Sequence, residues 1–214
     1  MKSKIWIFLT SIFIFISLNA QDINGKWIEF EIPNSLRSKQ VNIIEIKNDS
    51  LFSYDFNQLQ EKTKIKISEN SISLLDTLKV DYKFSGHNIL ELRPYYKNKK
   101  IDEPAIFHRL LPTKLGSNVK GDFEGFSYTV QLEKENLSFK LGEKRSIKDL
   151  IRIYYPPLVS DMVSINSFAG TSFLCFYQLG IIRYAFPIIE LKKSSMIIYG
   201  IPYHKGEIIL SKVE

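Results

Sequence analysis

Alternation between apolar and polar residues is the feature that most limits how this chain can fold. Across residues 62–67, lysines alternate with Thr or Ile, and across residues 78–84, Leu, Val, Tyr and Phe alternate with Lys and Asp. A period of two with one apolar face is typical of half-buried antiparallel strands. Turn-forming residues, such as Asn48-Asp49-Ser50, separate these segments. The sequence therefore predicts an all-β protein.

The first half contains about eight such segments in succession. They lie near residues 25–32, 41–47, 50–56, 62–68, 71–75, 78–85, 88–93 and 104–111. Sequential strands at this spacing favour an up-and-down antiparallel barrel, which leaves no free sheet edge. A barrel of this size holds either side chains or one small ligand. We therefore expect residues 21–113 to form a barrel domain.

The start of this domain, Asn24-Gly25-Lys26-Trp27, resembles the Gly-x-Trp opening of the lipocalin (calycin) barrels. In that family a late arginine or lysine packs across the tryptophan, and the resemblance implies this role for Arg109. The segment is much shorter than a full lipocalin and lacks the long helix before the last strand. It is more similar to the compact lipocalin-like domains of secreted bacterial proteins.

Strict alternation makes the direction of Trp27 an open question, because it places Trp27 on the same face as Glu29 and opposite Ile28. A bulge just after Trp27 would shift the phase by one residue and turn the indole inward. Without a bulge, we expect Trp27 to point outward. Gly25 would let the chain turn tightly into the strand.

After a breaker-rich connector at residues 112–118, residues 118–214 predict a second, smaller antiparallel β-domain. Residues 119–123 echo residues 23–27, so that Gly121 and Phe123 correspond to Gly25 and Trp27. The echo favours a tandem duplication, with chance similarity as the alternative. Within this half we expect a short helix or turn at residues 146–152, a mobile loop at residues 160–170, and strands from residue 171 onward.

The N-terminus has the layout of a cleavable signal peptide, residues 1–20. Lys2 and Lys4 precede an apolar run from Ile5 to Leu18, which is shorter than the roughly 20 residues of a spanning helix. This predicts a secreted or periplasmic protein with no membrane span after cleavage, and an uncleaved anchor is the alternative. The net charge is +6, but the lysines are scattered along the sequence. We therefore expect no nucleic-acid partner.

The sequence contains few signs of catalytic chemistry. Its single cysteine, Cys175, lies among apolar residues and predicts a buried thiol. The three histidines, His87, His108 and His204, are not at metal-ligand spacing. There is no phosphate loop, nucleophile elbow or zinc motif. We expect no catalytic residue, metal or cofactor.

Tyrosines beside prolines at predicted strand ends are the candidate ligand contacts: Tyr95, Tyr96, Tyr154, Tyr155 and Tyr203. Aromatic side chains at a barrel mouth suit small apolar or carbohydrate ligands, although they also serve to plug barrel ends. The leading hypothesis is a non-enzymatic binding protein that holds a small apolar molecule. The alternatives are an interaction module for an envelope protein, with filled barrels, and a secreted hydrolase.

Overall fold

The computed structural model describes residues 22–31, 41–74, 78–96, 99–100, 103–116, 126–132, 135–141, 162–199 and 206–212. The predicted leader, the segment at 146–152, and five residues with predicted roles lie outside these ranges: Gly121, Phe123, Tyr154, Tyr155 and Tyr203. The described residues form strands and turns without a helix. The predicted all-β class is confirmed.

The first half forms the eight strands that its alternating pattern predicts, and a short further strand, Lys99–Lys100, that it does not predict. They are β1 (Gly25–Glu31), β2 (Asn42–Lys47), β3 (Ser50–Asp55), β4 (Gln58–Ser68), β5 (Ser71–Leu74), β6 (Leu78–Gly86), β7 (Ile89–Tyr96), β8 (Lys99–Lys100) and β9 (Ala105–Arg109). Strands β1 to β6 pair in sequence order, β6 pairs with β7, and β9 pairs with both β7 and β1. Apart from the short β8, these eight strands close into an antiparallel barrel.

Trp27 lies inside the barrel and is fully buried. The irregularity in β1 falls between Glu29 and Glu31 and not just after Trp27, so the predicted position of the bulge is wrong. The expectation that Trp27 would point outward without that bulge is also wrong. Ile28 instead lies on the outer wall, where it is buried in a separate cluster. Both faces of β1 are covered, and a local period cannot distinguish inside from outside in that case.

The second half forms one curled antiparallel sheet. Its strands are β10 (Lys114–Leu115), β11 (Ser127–Leu132), β12 (Glu135–Lys140), β13 (Met162–Phe168), β14 (Thr171–Gln178), β15 (Ile181–Leu191), β16 (Ser195–Tyr199) and β17 (Glu207–Lys212). The order is β12-β11-β17-β16-β15-β14-β13, and β10 lies parallel to the end of β15. Its core is formed by buried residues on one face, including Tyr128, Leu174, Ile188 and Leu210.

The predicted mobile loop at residues 160–170 is wrong, because most of it is strand β13. Val163 is fully buried, and Ile165 packs against the same core. A turn at Ala169-Gly170, with both residues at positive φ, connects β13 to β14 in continuous register. Serine and asparagine occupy much of β13, so its sequence does not show a clear alternation, although one face, with Val163 and Ile165, is packed in the core.

The barrel and the second sheet share a third cluster of buried side chains. The outer wall of the barrel contributes Ile28, Val41, Ile43 and Phe56, and the sheet contributes Phe173, Cys175 and Ala185. The rings of Phe56 and Phe173 meet edge to face, with centroids 5.3 Å apart. The predicted burial of Cys175 is confirmed, and burial raises the pKa of its thiol to about 12.

Candidate functional site

One end of the barrel, which we call the closed end, is sealed by the contact that the lipocalin resemblance implies. The Arg109 guanidinium lies 4.2 Å from the centroid of the Trp27 ring, within the range of a cation–π contact. Trp27 and Arg109 also face each other in the register of β1 and β9. The indole Nε1 donates a hydrogen bond of 2.9 Å to the carbonyl of Ile23.

The guanidinium N–H groups of Arg109 donate to backbone carbonyls of the segment that leads into β1. Nη1 donates to the carbonyl of Asn24 at 2.8 Å, and Nη2 donates to the carbonyl of Asp22. Gly25 has φ +137°, and a Cβ added there would lie 2.8 Å from Arg109 Nη1. Both the backbone conformation and the small space beside Arg109 therefore require glycine at position 25. The side chains of the closed end pack closely against one another.

The interior of the barrel is not uniformly buried between the closed end and the opposite end, near Ala105, which we call the open end. Trp27, Ile46, Ile72 and Leu90 are at most 2 % exposed. Other interior-facing side chains are only partly buried at both ends of the barrel: Leu51, Leu74, Val80, Phe84, Leu92 and Ala105. The barrel interior thus combines fully buried apolar side chains with partly buried ones.

A polar pair lies on the interior wall near the open end. Glu29 faces inward with Trp27 and Phe107, and Asn42 faces inward with Ile44. Asn42 Nδ2 donates to Glu29 Oε2 at 2.6 Å. Burial raises the pKa of Glu29 to about 7, although the Asn42 hydrogen bond opposes the rise. Near neutral pH this carboxyl group can therefore either donate or accept a hydrogen bond.

Sequence reasoning did not select Glu29 or Asn42 as site residues. The signal was present, because alternation already placed Glu29 on the same face as Trp27. Because the same alternation puts a charged carboxylate next to the indole, it predicts that Trp27 faces outward in the absence of a bulge. The structure accommodates both, with Trp27 packed at the closed end and Glu29 nearer the open end.

The tyrosines predicted to contact a ligand are in different situations. Tyr95 is two residues after Arg93 on β7, so alternation places it on the outer wall as well. Its hydroxyl donates a hydrogen bond of 2.9 Å to Asp81 Oδ2. Tyr96 pairs with Lys99 at the end of β7. The other three lie outside the described residues. A role for these side chains in binding stays a prediction.

Two of the three histidines lie in described segments, and neither belongs to the barrel interior. His87 is exposed in the turn between β6 and β7. His108 lies on the outer wall between the rings of Phe30 and Tyr199, with centroids at 4.6 and 5.6 Å, and burial lowers its pKa. Within the described ranges, no three or more His, Cys, Asp or Glu residues are grouped so that they could hold a metal ion.

In comparison with known proteins, no family model and no curated protein matches the chain. In the part of the chain that the structure describes, no helix has the length and apolar character to cross a membrane.

Proposed function

We propose that this chain is a secreted or periplasmic binding protein whose barrel holds a small apolar ligand, with a polar group of that ligand at Glu29 and Asn42. The observation that supports this most is that part of the apolar wall inside the barrel is incompletely buried. Apolar side chains that face a closed barrel interior, such as Leu92, are only half-buried toward the open end. A ligand there would remove this surface from water.

The apolar surface supplies the affinity. Each Å² of apolar surface removed from water contributes about 25 cal/mol, and eight-stranded barrels have room for one small ligand. Binding sites of this kind combine apolar walls with a few polar groups that orient the ligand. Leu74, Leu92 and Ala105 provide such a wall, and Glu29 with Asn42 provides the polar group.

The position of Glu29 also supports a site. A half-buried carboxylate inside a barrel costs stability, because its charged form loses hydration. An apolar side chain at this position would pack against Phe107 without that cost. A carboxyl group at a position where it costs stability is therefore suited to a task other than packing.

The test is whether the barrel interior takes a small molecule. Mass spectrometry of molecules that co-purify with the native protein would identify a ligand, and N-phenyl-1-naphthylamine serves as a neutral fluorescent probe. We expect Ala105→Phe, which fills the open end, to weaken probe binding. The matched change Ser85→Phe, at an exposed position of β6, should leave it unchanged. If nothing co-purifies and the probe does not bind, the proposal fails.

A further inference from the structure

Strand geometry gathers lysines that look scattered in the sequence onto one outer wall of the barrel. The outward positions of β4, β6 and β7 carry six cationic side chains, which we call the basic face: Lys62, Lys64, Lys66, Lys79, Lys83 and Arg93. The lysines among them are exposed. The same outward strand positions carry two carboxylates, Asp81 and Glu91. This wall is therefore strongly positive.

The register aligns these side chains in rows across the strands. Lys66 of β4 faces Ser73 of β5, and Ser73 faces Lys79 of β6. Neighbouring strands lie about 4.8 Å apart, so the two lysines stand roughly 10 Å apart. Along β4, lysines recur at every second residue, which is a spacing of about 6.8 Å. The small serines of β5 leave the space between the lysines open.

A groove of about 470 Å³ lies on this wall. It is lined by three cations, two carboxylates, a tyrosine and two neutral polar residues: Lys79, Lys83, Arg93, Asp81, Glu91, Tyr82, Asn70 and Ser71. The two carboxylates lie beside its cations: Lys83 Nζ is 3.1 Å and Arg93 Nη2 is 3.7 Å from Glu91 Oε2, and Lys79 Nζ is 3.8 Å from Asp81 Oδ1. The groove thus combines positive charge with amide and hydroxyl groups that can bond a hydroxylated ligand.

We propose that the basic face binds a linear anionic polysaccharide. Rows of lysine ammonium groups complement a chain of carboxylate or sulfate groups, and Arg93 can bind a carboxylate through two donors. Asn70 and Ser71 supply partners for sugar hydroxyls. The predicted leader would export the protein, and a polysaccharide is a polyanion that an exported protein can meet.

The other polyanionic partners fit this wall less well. Helices that lie on membranes combine basic residues with large apolar anchors, whereas the outward described positions of β4 to β6 from Lys62 to Ser85 hold only Lys, Ser and Asp. The same positions carry no aromatic ring, and the rings beside them are already engaged, Phe52 under Lys62 and Tyr95 through its bond to Asp81. The bases of a single-stranded nucleic acid would therefore find few free rings on which to stack. A polysaccharide would instead bind through the positive charge and the hydrogen-bonding groups of this wall.

The experiment measures affinity for polygalacturonate at low salt, with neutral dextran, duplex DNA and anionic lipid vesicles as competing probes. The variant Lys62→Gln/Lys64→Gln/Lys66→Gln should bind polygalacturonate about tenfold more weakly. The matched control Lys114→Gln/Lys192→Gln/Lys193→Gln removes the same charge from exposed positions in the second half, and it should bind as the parent does. Circular dichroism checks that both variants keep the fold.

The results separate a specific face from a general effect of net charge. Equal losses in the two triple variants would overturn the proposal, since binding would then follow net charge alone. Dextran binding as tightly as polygalacturonate would overturn the role of charge. Tighter binding of DNA or of vesicles than of polygalacturonate would assign the face to another partner. A second variant, Lys79→Gln/Lys83→Gln, should weaken binding if the groove takes part.

Discussion

The barrel and the second sheet follow the same cyclic order of strands, and they differ in how far that order is completed. In each, the last strand pairs with the first antiparallel strand: β9 with β1, and β17 with β11. In the barrel the remaining strands close the circle. In the described part of the second sheet, the order runs from β12 to β13 without a pairing between them. The shared order supports the predicted duplication, which stays a prediction.

In both halves, an aromatic residue faces a cationic residue at the junction where the first antiparallel strand pairs with the last strand. Trp27 faces Arg109 in the barrel, and Tyr128 faces Lys212 in the second sheet. Lys212 Nζ lies 3.6 Å from the centroid of the Phe126 ring. Each junction therefore combines a fully buried aromatic residue with a cation over a ring. Phe123, which the sequence echo paired with Trp27, lies outside the described residues.

The interiors differ in chemistry. The buried cluster of the second sheet is made of apolar residues and Tyr128. The barrel interior instead carries Glu29 and Asn42 beside its apolar wall. The proposed ligand site lies in the barrel, where Glu29 and Asn42 form a polar pair on the interior wall. The second sheet supports the barrel by covering its outer wall.

The largest effect is expected at the closed end. Trp27→Ala should lower the free energy of unfolding by about 3–5 kcal/mol, because it removes a fully buried indole and leaves a cavity under Arg109. Denaturation in urea measures this loss. Lys26→Ala, at the neighbouring half-buried position, is the control and should cost far less. A loss below about 2 kcal/mol for Trp27→Ala would mean that the closed end collapses to fill the gap.

The next effect tests the polar interior through its pH dependence. The pKa of Glu29 is raised from its ordinary 4.5 to about 7, so the folded state holds its proton more tightly than the unfolded state does. The folded protein is not penalised below pH 4.5, and it loses stability as pH rises through 7. Glu29→Gln removes this loss, and it should be more stable than the parent at pH 8 by up to about 3 kcal/mol.

Urea denaturation of both proteins at pH 4.5 and pH 8 provides the measurement. We expect the advantage of Glu29→Gln to appear at pH 8 and to be smaller or absent at pH 4.5. Glu207→Gln, at an exposed position of β17, is the matched control and should follow the parent at both values. An advantage of Glu29→Gln that is the same at both pH values would contradict burial as the cause.

Local patterns in the sequence predicted most of the strands, because alternation in β4 and β6 reports burial on one face directly. The direction of Ile28 was not predictable in this way, since its burial depends on Phe173 and Cys175, far along the chain. Strand β13 was missed because serine and asparagine occupy much of it. The basic face needed the register of several strands, which spacing along the sequence does not contain.

A smaller loss is expected from Arg109→Ala, at about 1–3 kcal/mol. It leaves the carbonyls of Asn24 and Asp22 without their donor and uncovers one face of the Trp27 ring. Because the two side chains are in contact, the double variant with Trp27→Ala should lose less than the two single losses together. A urea-denaturation cycle of four proteins measures the coupling, and additive losses would show that the stack does not stabilise the barrel.

The smallest effect is expected at the matching junction of the second sheet. Lys212→Gln should cost about 0.5–1 kcal/mol, because a half-exposed ammonium over a ring contributes little when it stays hydrated. Arg109 does more, since its other donors are bonded to backbone carbonyls that close the barrel. Urea denaturation of Lys212→Gln and Arg109→Gln compares the same substitution at both junctions. Equal losses would indicate that the arginine contributes only its ring contact, and that the two junctions are equivalent in energy as well as in register.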